Sequence, residues 1–381
     1  MTSYTPVLTV AEYFAGIGLV RMGLELAGWR VLWANDISPK KLRMYRGFYP
    51  NDYEHYEVGD IFNVDPGVVP QTTLATCSFP CIDLSLAGNM NGLEGAHSSA
   101  FWGFVSVLKA QSYSAPPLVL LENVPGWLYS NKGQDFRVTI QALNRLGYAC
   151  DVFTLDALRF VPQSRLRLFV VGSRLPMMHR GHEELLERPS SLLSAQLRKN
   201  ILQNLDLDWF SSHPPAPPLL QRHGLGSVAE HIAPTDSRWW ALDQVQRHMN
   251  MMTEAHRRRV EQLAREDTLS YRTFFRRRRT DAQRAEVRPD DIAGCLRTAV
   301  GGSGKQFLIE AGCGTIRMRT MTEREYARLQ GVPDHFPIAA GGVDALTGFG
   351  DAVCVPVIRW IAEHVLNPIV VQYTQLVHGN D

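Results

Sequence analysis

Cys81 ends the run Cys77-Ser78-Phe79-Pro80-Cys81, directly after an apolar, strand-like stretch over residues 72 to 79. Further on, the apolar run Pro117-Leu118-Val119-Leu120-Leu121 leads into Glu122-Asn123-Val124. In an alternating α/β pattern both side chains fall at C-terminal strand ends, the edge where open parallel sheets build active sites. A third element, Gln163-Ser164-Arg165-Leu166-Arg167, has polar residues at alternate positions, so all three share one face of a strand. A thiol, a carboxyl and two guanidiniums suit nucleophilic addition to an electron-poor ring. The carboxyl protonates a ring nitrogen and arginine steadies the charge. Paired arginines also lower a thiol's pKa and bind phosphate or a base. A free cysteine is more often inert core. However, Pro80-Cys81 opens a polar segment with Gly88, Gly92 and Gly95, which is poor core material and suits a closing loop.

These residues need a sheet to position them. Residues 7 to 173 alternate short apolar runs with helical patterns, which predicts a doubly wound, mostly parallel sheet. Strands are expected over 7–14, 30–35, 56–58, 74–79 and 118–121, with helices over 17–27 and 136–146, the latter closed by Gly147. Residues 150–155 and 166–172 form a hairpin that finishes the sheet. Phe14-Ala15-Gly16-Ile17-Gly18 sits between the first strand and helix, where glycines let backbone pass close to a ligand. A lone GxG is weak evidence. Asp36 and Asp60 end the next two strands; the first suits ribose hydroxyls, the second an adenine amino group. An isolated strand-end acid is usually a helix cap. Three elements in register favour S-adenosyl-L-methionine.

The ordered set Phe14-Ala15-Gly16-Ile17-Gly18, Phe79-Pro80-Cys81, Glu122-Asn123-Val124, Gln163-x-Arg165-x-Arg167, Arg319 to Glu325, Arg328-Leu329-Gln330-Gly331 and Gly350-Asp351-Ala352-Val353 resembles the DNA cytosine-5 methyltransferases of bacterial restriction-modification systems. The resemblance covers residues 8 to about 173 and about 315 to 367. It implies a Rossmann-like catalytic domain over 1–173, a target-recognition domain over 174–340 and a C-terminal segment, 341–381, that returns to the first domain. It also implies Cys81 as nucleophile, Glu122 as acid, and Arg165 and Arg167 as their charged partners. S-adenosyl-L-methionine is expected against Phe14, Ala15, Gly16, Gly18, Leu19, Asp36, Ile37, Asp60, Ile61, Pro80, Asp351 and Ala352. Ser85 and Gln163 are expected at the DNA. The helix opened by Thr322-Glu323-Arg324-Glu325 has a capping-box start and reads as structural. Ile82 and Asp351 depart from the commonest family residues, Gln and Asn, beside the transferable methyl. That leaves a modified cofactor and a non-methyl group as an alternative.

Formal net charge over the 381 residues is only +1, so no global charge announces a polyanion partner. The basic residues cluster instead. Arg276 to Arg279 (Arg276, Arg277, Arg278, Arg279), with Tyr271, Phe274 and Phe275 upstream, suit phosphate contact and base stacking; the bland reading is a solvated face. Six scattered cysteines have no metal-ligand spacing and no need of a disulfide framework, so no metal is expected and reduced, intracellular thiols fit. No leader-like start and no run of membrane-spanning length is apparent. The expected protein is a cytoplasmic monomer of bacterial or phage origin acting on duplex DNA, with room for a cognate restriction endonuclease. The same chemistry on RNA or a cytidine nucleotide is the second reading. The long variable region argues against a mononucleotide. The third is a DNA-binding protein that has kept a methyltransferase body, against which the intact Cys81, Glu122 and Arg167 speak.

Overall fold

The computed structural model describes residues 7–80, 99–175, 181–220, 223–279, 282–298 and 304–378. The first half runs β1 (Thr9–Tyr13), α1 (Leu19–Glu25), β2 (Arg30–Asp36), α2 (Pro39–Phe48), β3 (Tyr56–Val58), β4 (Leu74–Cys77), α3 (Ala100–Gln111), β5 (Leu118–Asn123), α4 (Gln134–Arg145), β6 (Ala149–Asp156) and β7 (Leu166–Ser173). These seven strands form one sheet in the order β3-β2-β1-β4-β5-β7-β6. Strands β1 to β5 pair in parallel, while β7 is antiparallel to both β5 and β6. This is the doubly wound, mostly parallel sheet expected, closed by the expected hairpin.

β4 and β5 are buried on both faces, as strands covered by helices on each side must be. Alternation splits their side chains between two cores. Leu74, Leu118 and Leu120 face one; Ala75, Cys77, Val119 and Leu121 face the other. Tyr13, Cys77 and Leu121 lie in one register across three strands, so the segments that follow them leave from the same edge. The strand order reverses between β1 and β4, which puts a crevice at that edge.

The charged composition of residues 179–198 suggests a helix there; residues 179 and 180 lie outside the described residues. Among the described residues there are two short ones, α5 (Glu183–Leu186) and α6 (Ala195–Leu202), because Pro189 cannot continue the first and Ser194 caps the second. Leu185, Leu197, Ile201 and Trp209 join the core of the large sheet. Arg188 meets Asp151 of β6 with two guanidinium nitrogens, one at 2.7 Å. Packing therefore stays with the first sheet well past residue 174.

The second sheet follows α7 (Leu242–Met251) and α8 (Glu254–Ala264). It consists of β8 (Ser270–Arg278), β9 (Gln283–Val287), β10 (Phe307–Gly312) and β11 (Thr315–Thr320), antiparallel in the order β11-β10-β8-β9. Residues 292–310 read from the sequence as short strands: β10 begins at Phe307, whereas residues 292–298 lie against the entry to β7, the Ala293 amide donating to the Pro162 carbonyl and the Ser164 amide to the Ala293 carbonyl.

The chain ends in α9 (Glu323–Leu329), α10 (Gly342–Asp351), α11 (Val355–Ile361) and α12 (Asn367–His378). The Thr322/Glu325 capping box of α9 is formed as expected. Gly342–Gln375 is apolar enough by composition to cross a membrane, but 72% of its most apolar stretch is buried, so the apolar face is core. α11 lies on α1: a Cβ on Gly23 would stand 2.7 Å from the Ile358 Cβ and 2.8 Å from the Val355 carbonyl oxygen. Asn367 accepts from the Trp29 indole at 2.7 Å. Gly23→Ala should therefore force these helices apart and cost about 1–3 kcal/mol, read as a lower thermal midpoint. An unchanged midpoint would show that this helix contact does not contribute.

Candidate active site

At the edge of β1, the turn from Phe14 to Gly18 has positive φ at Phe14 (58°), Gly16 (58°) and Gly18 (83°). A side chain on Gly18 would strike the Tyr45 and Tyr49 rings at under 3 Å, so glycine is required there. The hydroxyls of Tyr49 and Tyr56 donate to the Gly18 and Gly16 carbonyls and brace the turn. Asp36 completes it, accepting from the Gly16 amide at 3.0 Å and the Ser38 amide at 2.9 Å. Ile37 and Phe62 stand exposed at the ends of neighbouring strands, and Asp60 caps the turn at Phe62. Ala15, Leu19 and Ile61 are buried side chains, so their only direct offer to a ligand is backbone. Space remains open beside Gly16, where a Cβ would meet nothing nearer than 3.9 Å. A glycine turn with that opening, strand-end carboxylates and exposed apolar neighbours fits a nucleoside such as that of S-adenosylmethionine.

Asp351, at the end of α10, reaches the same edge. Thr298 Oγ1 donates to its Oδ1 at 2.8 Å, and Lys41 Nζ lies 3.6 Å from both Asp351 Oδ2 and Asp36 Oδ2. One ammonium thus bridges two acids from separate segments. The Ala352 carbonyl, next along, accepts from Arg165 at 2.5 Å.

The second cluster lies at the ends of β5 and β7. Glu122 Oε1 is 2.9 Å from Arg167 Nε. Asn123 turns the other way: its amide nitrogen donates to the Phe79 carbonyl at 3.2 Å and its oxygen accepts from the Val124 amide. That bond ties the segment ending at Pro80 to the strand end that carries Glu122. Cys81 and Ser85, like the rest of 81–98, lie outside the described residues.

Two side chains of the β7 entry have roles other than those expected. Gln163 is fully buried; its amide donates to the Leu329 carbonyl at 2.7 Å and accepts from the Leu296 amide at 3.1 Å, so it joins protein segments and does not face DNA. Arg165 is 4% exposed, with donors on the Leu296, Gly350 and Ala352 carbonyls. It builds the site without facing a substrate. Burial holds its pKa below the usual guanidinium value.

The arginine run at the end of β8 divides by the partners its members find. Arg276 lies over the Phe307 ring, 5.1 Å from its centroid, and Arg279 pairs with Glu286 at 2.6 Å. Arg277 and Arg278 are exposed. Phe274 is fully buried and stacked on Phe307, and the Tyr271 hydroxyl donates to Glu310. Those two rings are committed to protein contacts, which removes them as base-stacking platforms.

Three residues escaped the sequence reading. Glu12 is buried in β1 with neither carboxylate oxygen bonded, and burial pushes its pKa up to about 8. Its position as an acid inside an otherwise apolar strand was the available signal. Lys41 and Cys295 gave none, because their partners are distant in sequence.

The match to known proteins covers nearly all of this architecture. The family model for the C-5 cytosine-specific DNA methylase matches residues 8–367. The chain is 27% identical over 362 residues to the type II methyltransferase M.HaeII of Haemophilus aegyptius, covering 94% of this chain and 92% of that protein. It is 27% identical to M.NlaX of Neisseria lactamica, covering 93% and 95%. Among solved structures, the Dnmt2 methyltransferase of S. pombe has a TM-score of 0.60 at 17% identity, covering 95% of this chain and 99% of that one. The Entamoeba histolytica methyltransferase EhMeth has 0.63 at 12%, covering 96% and 99%. The structural likenesses speak to fold alone; the family match spans both sheets and helices α9 to α11, and the chain belongs to the C-5 cytosine-specific DNA methylase family.

Proposed function

We propose that this enzyme methylates C5 of a flipped-out cytosine within a specific duplex DNA sequence, through a covalent adduct between Cys81 and C6. The observation that supports it most is the placement of Glu122. Arg167 fixes its carboxyl, and Asn123, the next residue, holds the carbonyl of Phe79, two residues before Cys81. The segment that leads into Cys81 is thereby tied to the strand end that carries Glu122.

Cytosine C5 is a poor nucleophile until another atom adds at C6. In the proposed sequence the Cys81 thiolate adds there while Glu122 delivers a proton to N3, which turns C5 into the nucleophilic end of an enamine. Bound S-adenosylmethionine supplies the methyl group. Loss of the C5 proton, expulsion of the thiolate and return of the N3 proton to Glu122 restore the aromatic ring. Gly16, Gly18, Asp36, Asp60 and Asp351 hold the cofactor in this reading, and Arg167 steadies the acid. A base inside a duplex cannot reach such a strand-end site, so the target leaves the stack. The likeness to enzymes named as type II methyltransferases adds a cognate endonuclease as the partner of this reading.

Cys81→Ser should reduce methyl transfer to unmethylated plasmid DNA by more than about a hundredfold, while cofactor affinity stays within a few-fold. A duplex carrying 5-fluorocytosine at the methylated position should give a denaturation-resistant complex with the wild type, since fluorine cannot leave as a proton. A variant that retains near-normal turnover, or a fluorinated duplex that is released freely, would contradict the adduct.

Asp351 generates a second test. A carboxylate near a sulfonium favours the cationic cofactor over its neutral product. A unit pair at about 4 Å is worth on the order of 4 kcal/mol at an effective dielectric near 20. Lys41, Thr298 and partial exposure reduce that strongly. Asp351→Asn should therefore narrow the calorimetric affinity gap between S-adenosylmethionine and S-adenosylhomocysteine by about tenfold or less. Equal shifts in both affinities would make Asp351 structural. A variant that transfers methyl far better than the wild type would favour a modified native donor instead.

For the DNA face, Arg277→Ala with Arg278→Ala should weaken plasmid binding and lower the slope of log affinity against log salt by about 1–2. An unchanged slope would assign both to a solvated surface.

A further inference from the structure

Arg297 lies midway along the segment that links the Glu122 cluster to the glycine turn. Its neighbours are held on both sides. The Leu296 carbonyl accepts from Arg165 Nη1 at 2.9 Å, and Thr298 Oγ1 donates to Asp351 Oδ1 at 2.8 Å. The peptide between them rests on Gly350, where a Cβ would stand 2.3 Å from the Arg297 carbonyl oxygen. The Arg297 side chain is by contrast exposed, and among the described residues it makes no hydrogen bond, ion pair or ring contact. We propose that Arg297 binds a backbone phosphate of the DNA beside the target cytosine. It would thereby hold the flipped nucleotide between the strand end that carries Glu122 and the glycine turn. The assignment rests on the reading of duplex DNA as the substrate.

Charge and geometry both favour an oxyanion here. Arg165 directs its donors at the Leu296, Gly350 and Ala352 carbonyls and, at 3.3 Å, the Cys295 sulfur. Neither it nor Arg297 has a carboxylate within ion-pair distance among the described residues, so this edge carries positive charge that attracts an anion. The planar fork of a guanidinium matches two phosphate oxygens at once. Because residues 296 to 298 are already fixed, the arginine gives up less freedom on binding than one on a free loop. The substrate brings such a group to the required place: a base turned out of the stack enters with its sugar and phosphates behind it, which leaves a phosphate at the rim. Arg277 and Arg278 are exposed as well, but they lie at the end of β8 in the second sheet, and among the described residues no bond ties them to the Glu122 cluster or the glycine turn. The other oxyanion of this reaction is the carboxylate of S-adenosylmethionine, and the experiment separates the two.

The test uses the full chain and a duplex built around the cytosine that bisulfite sequencing identifies. Each phosphate flanking that cytosine on its own strand is replaced in turn by an uncharged methylphosphonate. One such replacement should weaken wild-type binding about tenfold, the size of one charge-assisted contact. Arg297→Ala should bind the natural duplex about tenfold more weakly than the wild type and lose less than about twofold more on that same replacement. The slope of log affinity against log salt should fall by about 0.9 in Arg297→Ala, the loss of one phosphate contact, and stay unchanged in Arg297→Lys, which keeps the charge. Calorimetry with S-adenosylhomocysteine in the absence of DNA should give equal affinities for the wild type and Arg297→Ala, which also shows that the variant is folded. Lost cofactor affinity beside an unchanged salt slope would overturn the proposal and assign the arginine to the cofactor carboxylate. Equal losses on methylphosphonate replacement in the wild type and Arg297→Ala would overturn it too, leaving a solvated side chain. If the wild type gave no denaturation-resistant complex with the 5-fluorocytosine duplex, the proposed function itself would fail. Trapping by the wild type beside an unchanged salt slope in Arg297→Ala would overturn the role of Arg297 alone.

Discussion

The site depends on one buried guanidinium. Arg165 directs its donors at carbonyls from two segments, Leu296 and the pair Gly350 and Ala352, that reach the strand entry from far along the chain. A buried arginine stripped of such partners costs on the order of 3–5 kcal/mol, so the three segments are held together or the charge is stranded. Neutral amides complete the junction. Gln163 links Leu296 to Leu329, and Gln330 donates to Phe349 at 2.6 Å and to Ala352 at 3.1 Å. Gly350 allows the approach, since a Cβ there would stand 2.3 Å from the Arg297 carbonyl oxygen. Residues whose alternation suggests a substrate-facing strand therefore build the frame behind the substrate face.

With that frame in place, neighbouring residues divide their work by side-chain direction. Glu122 meets Arg167 while Asn123 reaches back to Phe79. Arg167 is held by its acid and by Cys295, whereas Arg165 is held by carbonyls. Asp36 bonds the glycine turn and also lies beside Lys41, whose other neighbour, Asp351, comes from α10. The glycine turn and the Glu122 cluster are thus joined through the same C-terminal segment: Asp351 on one side of Ala352, and Arg165 on its carbonyl.

Much of this was legible in the chain. The apolar runs at 74–77 and 118–121 could only be strands buried on both faces, and the acid closing the second had to fall at the sheet edge. The turn at Phe14 to Gly18 and the capping box at Thr322 are local, so local sequence specifies them. What failed was long-range. Alternation put Gln163, Arg165 and Arg167 on one face but could not reveal that residues 293–298 would cover the first two. Charged composition hid Leu185, Leu197, Ile201 and Trp209, which pack on the first sheet. On β8, reading Arg276 to Arg279 as a block could not reveal that Arg276 lies over Phe307 and that Arg279 pairs with Glu286. Cys295 was invisible because its arginine partners lie 128 and 130 residues away.

Bisulfite sequencing of a methylation-free bacterial host expressing the chain tests most directly whether the protein methylates cytosine C5 in duplex DNA. Cytosines should resist conversion in one short sequence context and convert everywhere else. Complete conversion at every position, with the protein expressed and folded, would contradict it.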